Sequence, residues 1–194
     1  HASGQVCHFD ADTSVPPEKM PDCLNRFLPA DIRITDGFAG EDGFDANRSA
    51  KRKTYCYRLY VAPRENPLKE RYAVRIDTAP ELCILQRYAK LFEGEHDFKA
   101  FCASGSSVKT TMRTVYEVRV EEKESFGSRD LYIFVTGNGF LYNMVRTLVG
   151  ELLDLSTQKR EEETLAKAFA TGDRALLGKT MPAKGLTLMQ VEYC

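Results

Sequence analysis

Residues 130–153 read D-L-Y-I-F-V-T-G-N-G-F-L-Y-N-M-V-R-T-L-V-G-E-L-L. Their first part, Asp130 to Thr136, carries apolar side chains on both faces, which predicts a strand buried on both sides. Gly137-Asn138-Gly139 predicts a turn. After the turn, apolar residues recur at helical spacing, at Met144, Val145, Leu148, Val149, Leu152 and Leu153. A strand that turns directly into an amphipathic helix indicates a domain of mixed α and β structure.

A second strand signal lies upstream, from Lys53 to Ala62, where aromatic and β-favouring residues are dense. Because side chains alternate along a strand, Tyr55, Tyr57 and Leu59 are expected on one face. The other face should carry Cys56, Arg58 and Tyr60.

Weaker patterns complete the prediction. Helices are expected over three segments, Glu18 to Leu28, Pro80 to Phe92 and Glu161 to Ala170. Strands are expected over four more, Asp31 to Ile34, Glu70 to Asp77, Arg113 to Glu121 and Leu186 to Tyr193. In the third of these strands, alternation predicts a common face for Thr114, Tyr116, Val118 and Val120. The fold class is therefore α+β, with a largely antiparallel sheet flanked by helices.

Composition narrows the functional class. The 194 residues are 43% hydrophobic and 28% charged with a net charge of −1, as in an ordinary globular protein, and no apolar run is long enough to span a membrane. The six cysteines are scattered without metal-ligand spacing, which favours reduced thiols and an intracellular location and predicts neither a metal site nor a disulfide framework.

Charge is nevertheless uneven. The run from Asn47 to Arg58 holds five basic residues and no acid, with tyrosines between them. One interpretation is a solvated strand edge, which such charges protect from aggregation. The other is an RNA-binding surface, because tyrosines offer stacking planes beside cations that bind phosphates.

Four separated motifs resemble, in the same order, those of the TruA-type tRNA pseudouridine synthase family. They are F-D-A-N-R-S-A-K-R-K-T-Y-C-Y (44–57), L-F-E-G-E-H-D-F-K-A-F (91–101), G-N-G-F-L-Y-N-M-V-R-T-L-V-G (137–150) and P-A-K-G-L-T-L-M-Q-V-E-Y (182–193). The resemblance implies a pseudouridine synthase fold, with residues 1–43 as the remainder of an RRM-like N-terminal half and 44–194 as the C-terminal half. It also implies an isomerase that needs no cofactor and acts on flipped uridines of tRNA.

The start of the chain resembles the end of the family's catalytic loop, G-R-T-D-x-G-V-H-A, so that His1 and Ala2 correspond to its last two residues. By this alignment the aspartate nucleophile belongs to polypeptide before His1. We therefore expect residues 1–194 alone to form no pseudouridine.

The resemblance also assigns the site residues. Arg146 is the cationic partner of the aspartate, Tyr55 stacks on the uracil and is a candidate for moving its C5 proton, and Leu186 and Phe140 line the pocket. Considered without the family, Arg146 could be a surface arginine on a helix flank and Tyr55 a core residue. On its helix, Arg146 stands beside Asn143, off the apolar stripe.

RNA contacts outside the pocket are expected from three groups. The resemblance implies Phe44, Asp45, Ala46, Asn47 and Arg48, and also Thr110, Thr111 and Arg113. Charge adds Lys51, Arg52 and Lys53. The family commonly has F-x-A-R where this chain has Asn47, so either Arg48 substitutes for that arginine or one phosphate contact is weaker.

The motif His96-Asp97-Phe98 is expected to be structural or to face RNA, and the run Glu161-Glu162-Glu163 to be a solvated helix start. A non-catalytic RNA-binding or scaffold protein with the same fold is the alternative function. The resemblance implies anticodon-arm uridines and homodimers for bacterial relatives, and more positions and other RNAs for eukaryotic relatives. The choice of uridines, a possible homodimer and the compartment therefore stay open.

Overall fold

A computed structural model describes residues 1–103 and 108–193. The chain forms two compact units, one made of His1–Gln5 with Ala50–Cys194 and the other of Val6–Ser49. The predicted boundary at residue 44 stays a prediction of the family resemblance.

The larger unit is built on a six-stranded sheet. In chain order its strands are β1 (Arg52–Val61), β2 (Val74–Ile76), β3 (Gly94–Asp97), β4 (Met112–Ser125), β5 (Ser128–Gly137) and β6 (Leu186–Glu192). They lie in the order β2-β1-β5-β4-β3, and β6 pairs with the first half of β1. All of these pairs are antiparallel except β1 with β2. The predicted α+β class with a largely antiparallel sheet is confirmed.

One face of this sheet carries the hydrophobic core. Tyr57 and Leu59 of β1 and Ile133 of β5 are fully or almost fully buried there. Two helices, α2 (Leu82–Ala89) and α3 (Met144–Ser156), contribute Leu85, Leu148 and Leu152 to the same core. The alternation predicted for residues 53–62 is therefore confirmed.

The smaller unit contains the helix α1 (Met20–Leu24), preceded by a 3-10 turn at Pro17–Lys19. The predicted helix over Glu18 to Leu28 is thus too long. The predicted strand from Asp31 to Ile34 is wrong, because these residues form no ladder. Instead, the Asn25 side chain bonds both the N–H and the carbonyl of Ile34 and so replaces a strand partner.

Three strand predictions need correction. Only Val74–Ile76 of the segment from Glu70 to Asp77 pairs, because residues 67–72 form turns. A bulge in β4 between Val115 and Glu117 shifts the alternation, so that Val115 is buried and Tyr116 is 45% exposed. The outer face of β5 is only half-buried, since its aromatic rings are covered by cations such as Arg119, whose guanidinium lies 4.3 Å from the Phe134 ring centre.

The remaining predicted elements are present, including α4 (Glu162–Thr171), which Glu161 and its neighbours begin as expected. The strands β4 and β5 extend beyond their predicted ends and meet in a two-residue turn. Phe126 and Gly127 occupy that turn with φ of 48° and 71°, the left-handed geometry that suits a tight hairpin. Within the described ranges, no helix is long and apolar enough to span a membrane.

Candidate active site

A cavity of about 480 Å³ opens beside β1 and β6, where residues 137–146 turn from β5 into α3. Four of the residues singled out in the sequence line it together, namely Tyr55, Phe140, Arg146 and Leu186. His1, Gln5, Tyr142, Asn143, Ala183 and Leu188 complete most of the wall. Residues far apart in the chain thus converge on one pocket, although their catalytic roles stay predictions.

Arg146 is the basic side chain in this wall and is held in a fixed position. Its Nε donates a 2.6 Å hydrogen bond to the carbonyl of Met181, and one Nη donates a 2.7 Å bond to Oδ1 of Asn143. Asn143 is the N-cap of α3 and has a left-handed φ of 64°, a conformation that asparagine tolerates better than most residues. A guanidinium has five N–H groups. Among the described residues these two bonds leave the outer guanidinium edge available to bind an anion.

Tyr55 and Phe140 form the aromatic part of the pocket. Their ring centres are 5.3 Å apart and the ring planes meet at 87°, an edge-to-face contact that fixes both orientations. Burial raises the pKa of the Tyr55 hydroxyl. Tyr55 is therefore a neutral phenol at physiological pH.

The opposite wall is formed by the segment that leads into β6. Tyr57, fully buried behind the pocket, donates a 2.6 Å hydrogen bond to the carbonyl of Pro182. Gly185 packs directly on that tyrosine, because a Cβ there would lie 2.7 Å from the ring. Burial raises the pKa of Tyr57 strongly, and the charge of Arg146 offsets part of this effect. Tyr57 is therefore a support for the turn that presents Leu186.

His1 is part of the same wall. Its carbonyl accepts a hydrogen bond of 2.9 Å from the N–H of Leu188, and Ala2 pairs with Leu188 as a parallel bridge. Its ring contacts that of Tyr72 edge to face at 4.7 Å. The first residues of the chain therefore run along β6 at the pocket.

The predicted RNA-binding residues of the larger unit cluster near one end of the sheet. Lys53 pairs with Gly137, and Arg113 lies beside Gly139 in the turn that leads to Phe140. Arg52 stacks over Tyr116 at 4.8 Å, while Lys51 is exposed before it. Thr110 and Thr111 precede β4, where the Thr110 carbonyl accepts a bond from Arg113. This end of the sheet offers cations and an exposed aromatic ring near the pocket.

The predicted segment 44–48 lies in the smaller unit and forms a tight turn. Asp45 Oδ1 accepts bonds from the N–H groups of Asn47 and Arg48, and these bonds lower the pKa of Asp45. Ala46 is buried, with its N–H donating to His8, and Phe44 packs edge-on against the His8 ring. Asp45, Ala46 and Phe44 therefore build the turn, and the 90% exposed Arg48 side chain is the cation that it presents.

His96-Asp97-Phe98 lies apart from the pocket and has structural contacts. The His96 ring stacks on Phe169 at 4.4 Å, Phe98 is fully buried, and Asp97 caps the 3-10 helix that follows. The described residues contain no cluster of three or more His, Cys, Asp or Glu side chains that could hold a metal ion.

The sequence did not predict several residues of the site. The carbonyls of Met181 and Pro182 hold the side chains of Arg146 and Tyr57, and backbone carbonyls carry no side-chain signal. Tyr142 is 63% exposed and lines the pocket mouth, but in the sequence it is one aromatic among many. Helical spacing predicts that Asn143 lies beside Arg146, and the hydrogen bond between the two side chains confirms this prediction.

Comparison with known proteins gives a consistent result. A family model described as tRNA pseudouridine synthase matches residues 88–194. The tRNA pseudouridine synthase A of Shouchella clausii is 41% identical over 193 residues, which cover all of this chain and 72% of that protein. Those of Syntrophotalea carbinolica and Bacillus subtilis are 39% and 37% identical, again over the whole chain and over 75% and 76% of their own lengths.

Proposed function

Because the chain belongs to the tRNA pseudouridine synthase family, we propose that the protein converts uridines of tRNA to pseudouridine. The observation that carries this proposal is the convergence of Tyr55, Phe140, Arg146 and Leu186 on one pocket. An aromatic and aliphatic wall suits a planar base, and a fixed guanidinium suits an anionic nucleophile.

The reaction rearranges bonds within one nucleotide. The bond between N1 of the uracil and C1′ of the ribose breaks, the base turns, C5 bonds to C1′, and the hydrogen on C5 is lost while N1 gains one. No redox partner is needed, because the one-unit reduction of C1′ and the one-unit oxidation of C5 cancel within the same nucleotide. The protein must therefore extract the base, hold it while it turns, and move one proton.

Tyr55 and Leu186 would hold the flipped uracil between them, while the edge-to-face contact with Phe140 keeps the Tyr55 ring in place. Tyr55 would meet the C5 hydrogen as a neutral phenol. Its oxygen would accept that proton while its own proton passes on to N1, which gains one in the reaction. Moving a base out of the stack costs a few kcal/mol of free energy, and contacts between the base and this apolar wall would offset that cost.

The nucleophile would be an aspartate, as the family resemblance implies, from the loop whose last residues correspond to His1 and Ala2. His1 lines the same cavity as Arg146, which supports delivery of that carboxylate to the outer edge of the guanidinium. Paired with a cation, the carboxylate would stay ionised and nucleophilic.

The test uses the full-length gene product and tRNA labelled with tritium at C5 of uridine, since each turnover releases tritium to water. We expect the wild-type protein to release tritium. Arg146→Ala should lower kcat at least about 100-fold, which is the effect of removing one preorganised charge from an active site. Arg87→Ala, at an exposed position of α2, is the matched control.

A full-length protein that binds tRNA but releases no tritium would refute the proposal and favour the RNA-binding or scaffold alternative. So would a residue other than aspartate at the nucleophile position. Residues 1–194 alone are expected to release none. The intracellular location is a prediction from the scattered cysteines, and cell fractionation tests it. A homodimer is a possibility that the resemblance leaves open, and light scattering tests it.

A further inference from the structure

Helix α3 buries a carboxylate close to the pocket arginine. Glu151 has no exposed surface. In an α-helix, residues i, i+1, i+4 and i+5 share one face, which places Glu151 on the same face as Arg146, Thr147 and Gly150. That face packs against the segment 177–181, which leads to the far wall of the pocket.

The contacts between this face and the segment are continuous. Oε2 of Glu151 accepts a 2.6 Å hydrogen bond from the N–H of Gly178. The carbonyl of Lys179, the next residue of the segment, lies against Gly150. A Cβ added at Gly150 would be only 2.0 Å from that carbonyl oxygen. One residue further, the hydroxyls of Thr147 and Thr180 are 3.0 Å apart.

The row of contacts ends at the pocket. The N–H of Met181 donates to the carbonyl of Arg146 at 3.2 Å, and the Met181 carbonyl accepts the Nε–H of Arg146 at 2.6 Å. The group that orients the guanidinium therefore lies three residues from the amide that Glu151 holds.

We propose that Glu151 is a positioning residue for Arg146, acting through the backbone of residues 178–181. This inference rests on the proposed function, because it assigns Arg146 to the reaction. Without the bond to Glu151, the Gly178 amide would be buried and unpaired. The segment would then shift toward solvent or another acceptor and move the Met181 carbonyl with it.

The buried carboxylate of Glu151 also has a cationic neighbour, Arg160. Nε of Arg160 lies 3.6 Å from the Glu151 carboxylate and 3.7 Å from that of Asp154, and its Nη atoms donate to the carbonyls of Leu176 and Leu177. Burial raises the pKa of Glu151, while the Gly178 N–H and Arg160 lower it. A glutamine could keep the acceptor oxygen for Gly178, whereas a methionine of similar length could not.

The experiment measures the initial rate of tritium release by the full-length protein over a range of tRNA concentrations, which gives kcat and KM. We expect Glu151→Met to lower kcat about 10-fold or more, the effect of one lost buried hydrogen bond, with KM for tRNA within about twofold. Glu151→Gln should keep kcat within about threefold of wild type. Glu163→Met, on the exposed side of α4, is the control and should change neither value.

A double-mutant cycle separates positioning from general stability. Lysine has no Nε–H of the arginine type, so in an Arg146→Lys background Glu151→Met should cause little further loss of kcat. An equal loss in both backgrounds would overturn the proposal, as would a wild-type kcat for Glu151→Met. If that variant does not fold, Thr147→Val tests the same row of contacts.

An NMR readout makes the inference independent of turnover. The Nε–Hε signal of Arg146 should exchange slowly in the wild-type protein and in Glu151→Gln, and should broaden or shift in Glu151→Met. An unchanged signal would refute positioning. Absence of tritium release by the wild-type protein, with the signal behaving as expected, would instead refute the proposed function alone.

Discussion

Lys69 and Asp130 form a buried ion pair, and removing one partner should destabilise the larger unit by about 3 kcal/mol. Their side chains are 5% and 9% exposed, and Lys69 Nζ lies 2.5 and 2.7 Å from the two carboxylate oxygens. The ammonium also donates to the Ser125 carbonyl and to the Ser128 hydroxyl. One lysine thus ties residues 67–72 to the β4–β5 hairpin.

Lys69→Met keeps the length of the side chain and removes its charge. Asp130 Oδ1 retains the Ser128 hydroxyl, but Oδ2 loses its partner among the described residues. Removing one partner of a buried pair costs about 3 to 5 kcal/mol. Since one oxygen stays bonded, we take about 3 kcal/mol, which at a slope of about 2 kcal/mol/M moves the urea midpoint down by about 1.5 M.

Urea titration followed by circular dichroism measures this shift. Lys90→Met is the control, because Lys90 pairs with Glu93 while its side chain is 66% exposed, and such pairs contribute about 0 to 1 kcal/mol. The double variant Lys69→Met/Asp130→Leu should recover part of the loss, since no carboxylate is then left buried and unpaired. Equal midpoints for Lys69→Met and Lys90→Met would refute the reasoning.

Three further predictions concern the support of the pocket. Tyr57→Phe leaves the Pro182 carbonyl without its 2.6 Å bond and should cost about 1 to 3 kcal/mol in urea titration. Gly150→Ala puts a Cβ against the Lys179 carbonyl and should lower Tm through about 1 to 3 kcal/mol of overpacking. Burial raises the pKa of Glu151 above its usual 4.5 in the folded protein. Protonated Glu151 therefore adds stability at pH values below 4.5, and this contribution is lost as the pH rises through the folded-state pKa. Urea midpoints of the wild type should therefore fall relative to those of Glu151→Gln as the pH rises from 4.5 through the folded-state pKa of Glu151, with Asp154, Arg160 and Arg174 as the charged neighbours.

Local periodicity was sufficient to predict which side chains join the main core. The alternation around Tyr57 and the apolar stripe of α3 did so, although the other side of each element is also covered, at Cys56 and Tyr60 in β1 and at Thr147 and Glu151 in α3. The four pocket residues could be named because they stand in motifs that resemble a family. Their spacing alone would not separate Tyr55 from the other tyrosines of β1.

Tertiary contacts determine the features that local sequence patterns did not predict. The strand β3 (Gly94–Asp97) has little apolar pattern and exists because β4 offers it an edge to pair with. The bulge between Val115 and Glu117 adds one residue and inverts the predicted faces upstream of it. Similarly, the Met181 carbonyl that orients Arg146 has no signature in residue type.

The contacts that hold Arg146 and Tyr55 are made within the protein itself, and this bears on how the pocket could act. Arg146 is fixed by the Met181 carbonyl and by the Asn143 side chain, and Tyr55 is fixed by its edge-to-face contact with Phe140. A charge held in place by backbone needs no reorganisation when a carboxylate approaches, so more of the binding energy remains for pulling the base from the stack. The buried contacts from Glu151 to Met181 would then affect the reaction rate rather than tRNA affinity. The Glu151 variants should therefore change kcat more than KM.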